Sequence, residues 1–166
     1  MLMAVPVPAT CVHQVAHKYG VPSAVIYAML KVEGGHPGQA HRNADGSYDY
    51  GPMQINGRWF TTKKSVLQRR FPFLEASAIK KDPCVNTDVG GWILYEEWRQ
   101  SAAHCFSWRH PRACVRKSLW SAVGHYHSHN KTESAKYVHR VYSWYTRIIH
   151  YWNRRYGYPY QRYASR

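Results

Sequence analysis

VIYAMLKVEGG, residues 25–35, is an apolar helical stripe that ends on a carboxylate. Pro22 suits a first helical position, and Val25, Ile26, Met29 and Leu30 then recur at the spacing of one helix face. Glu33 lies four residues beyond Met29 and seven beyond Ile26, so the same periodicity points its carboxyl toward the core or into a cleft. Gly34 and Gly35 end the helix directly after it. Apolar surroundings and the negative end of the helix dipole both disfavour the charged form there, which raises the pKa. A carboxyl kept protonated near neutrality can give a proton to a leaving oxygen. Periodicity alone favours the plainer outcome, in which Glu33 snorkels to solvent or pairs with an arginine.

Outward from this helix the chain reads as helices joined by Gly and Pro punctuation, with no internal repeat. A short helix over 11–19 ends at Gly20, and the Glu33 helix occupies 22–33. The polar stretch HPGQAHRNADGSYDYG follows, where Asp45-Gly46 and the alternating SYDYG predict a turn with short strands or an irregular hairpin. Helices resume near 60–70 and again from about 85, where Val85, Val89, Trp92, Ile93 and Glu96 share a face. Glu96 reads as a salt-bridged structural glutamate. Leu119, Ala122, Val123 and Tyr126 mark a further helix, and Val138, Val141, Tyr142, Tyr145, Ile148, Ile149 and Trp152 mark a long final one. The expected fold is mainly α, a helical domain with a small loop or hairpin lobe beside a cleft.

A chain of 166 residues with seven Trp and fourteen Tyr can bury one sufficient core and leaves no room for a second catalytic domain. No run of about eighteen apolar residues occurs, so no membrane span is expected. The start, MLMAVPVPAT, lacks a basic region and suggests, over residues 1–10, the remnant of an export signal. Lys plus Arg number 23 against nine acids, so the partner carries negative charge; nucleic acid, an anionic membrane surface and an anionic cell-wall polymer all qualify. The four cysteines form no Cys-x-x-Cys pair, which speaks against a zinc ribbon or a thioredoxin-type site, and an even count at wide spacing suits two disulfides and export.

The stretch NADGSYDYGPMQIN after the Glu33 helix resembles the lytic transglycosylases of the soluble, goose-lysozyme-like type. Its Gly51, Pro52, Met53, Gln54, Ile55 and Asn56 match the family's Gly-x-Met-Gln-Ile-Asn block. An Ala-x-x-x-Tyr helix, Ala122 to Tyr126, and the Tyr137-Val138 pair at the start of the last helix also match, so the likeness covers roughly residues 11–145. Cys11 and the Asp82-Pro83-Cys84 segment resemble the small members that serve secretion, conjugation or pilus machines. Three positions depart from the pattern: Gly34 stands for Ser, Pro52 for Leu, and His127 for the Asn that commonly follows the helix Tyr.

The resemblance reverses the balance on Glu33 and implies that it is the single catalytic acid/base of a lysozyme-like domain over 11–155. The implied substrate is the peptidoglycan glycan strand, cleaved between N-acetylmuramic acid and N-acetylglucosamine to leave a 1,6-anhydro end. Gln54 and Tyr137 are expected to orient the substrate acetamido group and Glu33, and Met53 to line the cleft. Tyr126 is expected either to touch sugar or to pack in the core, and Ser47 and Asn56 to bind substrate or brace the loop. Four cysteines allow three pairings; Cys11 with Cys84, and Cys105 with Cys114, is the favoured one.

No cofactor and no metal are expected. His125, His127 and His129 alternate, but residues two apart on a helix do not face each other and no third ligand accompanies them in sequence. The basic, aromatic tail at 156–166 is the candidate dock for an envelope machine. The protein is expected to be a periplasmic or exported monomer without obligate nucleic acid. Two rivals remain: a hydrolytic muramidase using Asp45 or Asp49, with Asp49 the better suited to hold the hairpin turn, and a non-catalytic basic adaptor.

Overall fold

The computed structural model describes residues 5–107 and 111–157, and the expected C-terminal tail falls almost wholly outside them. Among the described residues seven α-helices run in the order α1 (Ala9–Tyr19), α2 (Ser23–Glu33), α3 (Lys64–Arg70), α4 (Ala76–Lys81), α5 (Pro83–Ala102), α6 (Pro111–His127) and α7 (Lys131–Tyr156). Three short strands, β1 (Ala40–Arg42), β2 (Tyr48–Tyr50) and β3 (Ile55–Asn56), lie between α2 and α3. The mainly α fold with a small lobe is therefore as expected. The lobe is a three-stranded antiparallel sheet in the order β1-β2-β3, one strand more than a hairpin. No helix among the described residues is long and apolar enough to cross a membrane.

Helix α2 is the central element. Every residue from Ala24 to Leu30 is buried, because α7 and α1 pack around it and its sequence is apolar on nearly all sides. Gly20 and Gly34 close α1 and α2 in the left-handed conformation, at φ 65° and 64°, which glycine adopts without a Cβ clash. Helix α5 starts at Pro83 because Asp82 accepts hydrogen bonds from the Cys84 and Val85 amides, at 2.8 and 3.1 Å. It packs on α1 and α6, and α6 packs on α7. The disulfides join Cys11 to Cys84, tying α1 to the start of α5, and Cys105 to Cys114.

Two expectations for the helices change. Helix α4 was not anticipated, since only Ile79 of its six residues is buried and so short a segment carries no periodic signal. Tyr142, placed by periodicity on the apolar face of α7, is 50% exposed. It leans instead on Trp120, edge to face at a centroid distance of 4.9 Å. Glu96 pairs with Arg99 at 2.8 Å as a surface ion pair.

Candidate active site

The carboxyl of Glu33 emerges at the last turn of α2 into a cleft of about 690 Å³, walled on the opposite side by the small sheet. The helix end and the sheet meet backbone to backbone. A Cβ on Gly35 would lie 2.1 Å from the Gly51 carbonyl oxygen and 2.3 Å from the side-chain Nε2 of Gln54, so the second glycine of the pair is required by close approach. Gly51 turns the chain at φ 69°, and Gln54, at φ 49°, is the one non-glycine residue with positive φ among those described. Its side-chain amide donates to the Gly51 carbonyl at 2.8 Å. A residue held in this sparsely populated region is overdetermined by its surroundings.

Asn86 on α5 supplies that determination. It is fully buried, its Oδ1 accepts from the Met53 amide at 2.7 Å, and its Nδ2 donates to the carbonyls of Tyr50 and Ile79 at 2.9 and 3.0 Å. One side chain thus ties the β2–β3 turn, α4 and α5 together. Asn86→Ala would orphan these groups, and we expect a loss on the order of 2 to 4 kcal/mol, read as a fall in the urea midpoint. A loss below about 1 kcal/mol would mean that the turn is held by other contacts.

The structure brings most of the expected residues to one place. Tyr137, at the first turns of α7, donates its hydroxyl to Glu33 Oε1 in a short hydrogen bond. The ring of His127 stacks on that of Tyr137 at 4.6 Å, nearly parallel. Tyr126 lines the cleft and donates its hydroxyl to the Met53 carbonyl at 2.7 Å, so it braces the turn as well as facing the cavity. Ser47 and Asn56 also line the cleft and are knitted into the sheet: Asn56 Nδ2 donates to Ser47 Oγ at 3.2 Å and to Asp49 Oδ1 at 2.7 Å.

Met53 is a correction. Expected to line the cleft, its side chain is fully buried and occupies the space that a Cβ on Gly90 would need, with three of its atoms 2.9 Å from that position. Only its backbone serves the site.

Asp49 is a second correction. The hairpin turn is held by Asp45, whose Oδ1 accepts from the Ser47 amide and hydroxyl at 3.0 and 2.7 Å and whose Oδ2 pairs with Arg58 at 2.9 Å. Asp49 sits in the middle of β2, opposite His41 and Asn56, and lines the cleft. The alternation of SYDY did not show which face was inward, because both neighbours of Asp49 are tyrosines.

Burial is the largest influence on Glu33 and raises its pKa from 4.5 to about 7. The Tyr137 hydrogen bond and the charge of Arg140 oppose this, and the charge of Asp49 adds to it. Desolvation wins, so a large fraction of Glu33 carries its proton near neutral pH. The site therefore joins a proton donor, a second carboxylate and a polar wall of Gln54, Asn56 and Ser47 in one open groove.

No protein-family model matches the chain. It is 30% identical over 145 residues to Protein IpgF of Shigella flexneri, an alignment that covers 84% of this chain and 82% of that protein. It is also 30% identical over 101 residues to Invasion protein IagB of Salmonella typhi, covering 60% of this chain and 58% of that protein. With more than four-fifths of both chains aligned to IpgF, this protein belongs to the IpgF family.

Proposed function

We propose that the protein is a peptidoglycan lytic transglycosylase, exported to the cell envelope, that opens the wall locally for an envelope-spanning machine. The observation that carries this reading is Glu33: a cleft carboxyl with its pKa raised to about 7 by desolvation, oriented by the Tyr137 hydroxyl. Protonated Glu33 gives its proton to the glycosidic oxygen as the bond from muramic acid breaks and the sugar becomes oxocarbenium-like. The ionised carboxylate then takes a proton from the sugar's own C6 hydroxyl, whose oxygen attacks C1 and closes the 1,6-anhydro ring. Gln54 and Tyr137 orient the acetamido group and Glu33. Two disulfides suit an oxidising compartment, the charge of +14 suits an anionic polymer, and a relative named as an invasion protein is in keeping with a role beside an export apparatus.

One observation favours a second reading. Asp49 lines the same cleft and its charge is felt at Glu33, so it is placed to position a water, which would make the enzyme a hydrolytic muramidase. Asp45, with both oxygens engaged at the sheet tip, is the weaker base. Digestion of purified peptidoglycan in isotopically heavy water separates the two. The expected products end in 1,6-anhydromuramic acid, lighter by one water and unlabelled at C1. Label at the muramic C1 from the start of the reaction would establish hydrolysis in place of ring closure.

A further inference from the structure

The alternating histidines near the end of α6 find in the tertiary structure the partner that the sequence does not show. The Ser128 amide still donates to the Gly124 carbonyl at 3.0 Å, so the helical turn persists past His127. His125 and His129, four residues apart, consequently fall on one side. Their rings stack at a centroid distance of 4.7 Å. Facing them from α5 is Glu97, the neighbour of the surface-paired Glu96. Its Oε1 lies 3.5 Å from His129 Nε2 and its Oε2 lies 3.9 Å from His125 Nδ1.

We propose that Glu97, His125 and His129 form a binding site for a divalent transition metal ion, zinc in the first instance. The three ligand atoms all lie within 4.8 Å of one another. Neighbouring ligands on a tetrahedral zinc stand about 3.4 Å apart, given bonds of about 2.0 to 2.2 Å, so small side-chain rotations close the set. Two imidazoles and one carboxylate are a donor set that zinc takes, with water in the fourth position. The Glu97 side chain is 19% exposed and its carboxylate faces both imidazoles, yet neither histidine contact closes to hydrogen-bond length, which leaves the three ligand atoms facing one another without direct bonds. His104 also lies against two sulfurs, but Cys105 and Cys114 are joined to each other, and a disulfide offers no thiolate. A metal on Glu97, His125 and His129 would pin the end of α6 to α5. That end carries Tyr126 and His127, which brace the Met53 carbonyl and the Tyr137 ring at the cleft.

The test uses the untagged full chain, stripped with a chelator and titrated with zinc alone by calorimetry and thermal unfolding. The expected result is one tight zinc per chain with a raised Tm. Cobalt in place of zinc should give the visible absorption of a low-coordinate nitrogen and oxygen site. Loss of one metal ligand should exceed the roughly tenfold to hundredfold cost of disturbing an outer partner. His129→Ala and Glu97→Gln should therefore each weaken binding by at least about a hundredfold and abolish both the Tm rise and the cobalt spectrum. His129 is 70% exposed at its side chain, so its removal leaves the fold in place. His13→Ala with His17→Ala, which removes the exposed pair one turn apart on α1, should change nothing. Failure of the wild type to take up zinc, wild-type binding by His129→Ala and Glu97→Gln, or loss of binding in the α1 variant would each overturn the proposal.

Discussion

Glu33→Gln is expected to abolish wall cleavage, lowering it by more than about a hundredfold, the least that a positioned general acid supplies, while leaving the fold intact. The amide is nearly isosteric and can still accept the Tyr137 hydroxyl, but it has no proton to give to the glycosidic oxygen. The same substitution should affect stability with a definite sign. Folding raises the Glu33 pKa from 4.5 to about 7, so the folded state binds the proton more tightly than the unfolded chain. The cost of an ionised Glu33 is absent below pH 4.5, grows as pH rises, and is complete above about pH 7. Glu33→Gln removes that cost, and should be neutral in acid and more stable than the wild type by roughly 1 to 3 kcal/mol in mild base. Muropeptide release and urea unfolding on either side of this window check both parts. Near-native turnover in the variant would move the acid role to Asp49, the other carboxylate that lines the cleft close enough for its charge to be felt at Glu33.

Removal of the Cys11–Cys84 bridge should produce the largest loss of stability. Its cysteines are 73 residues apart, against nine for Cys105–Cys114. Closing the longer segment restricts the unfolded chain more, by roughly 4 kcal/mol against roughly 2.5 kcal/mol on a chain-entropy basis. The bridge also ties α1 to the first turn of α5, two positions before Asn86. Its loss should therefore loosen the wall of the cleft as well as the core. Denaturant midpoints of Cys11→Ser with Cys84→Ser, compared with Cys105→Ser with Cys114→Ser, measure the difference. A larger cost for the shorter loop would show that native contacts dominate over chain entropy. A non-reducing peptide map joining Cys11 to Cys105 would overturn the pairing itself.

The helices that carry the site were legible because their signals are local. The apolar run of α2, its glycine ending and the long stripe of α7 are properties of segments within which neighbours three and four apart must share a face. Glu33 was legible for the same reason, as a carboxylate in register with that stripe. The Gly-Pro-Met-Gln turn was visible as a motif, but not the burial of Met53, which depends on the absence of a side chain at Gly90, 37 positions further on. Asn86 has one local signal, its register three, four and seven residues before Val89, Gly90 and Ile93 on the inward face of α5.

The longer helices, the carboxylate in register with the apolar stripe of α2 and the basic charge are local properties of the chain, since each follows from composition or from spacing within one segment. Which groups meet depends on packing, and no single segment carries that information. Packing brought the charge of Asp49 within reach of Glu33, engaged both oxygens of Asp45 at the rim of the same cleft, closed Tyr137 onto Glu33 across 104 residues, and set Glu97 against His125 and His129. Contacts of this kind depend on how helices cross and how a strand is rotated about its axis. A shift of one position would turn any of these side chains to another face, and no local pattern in the chain records which face prevailed.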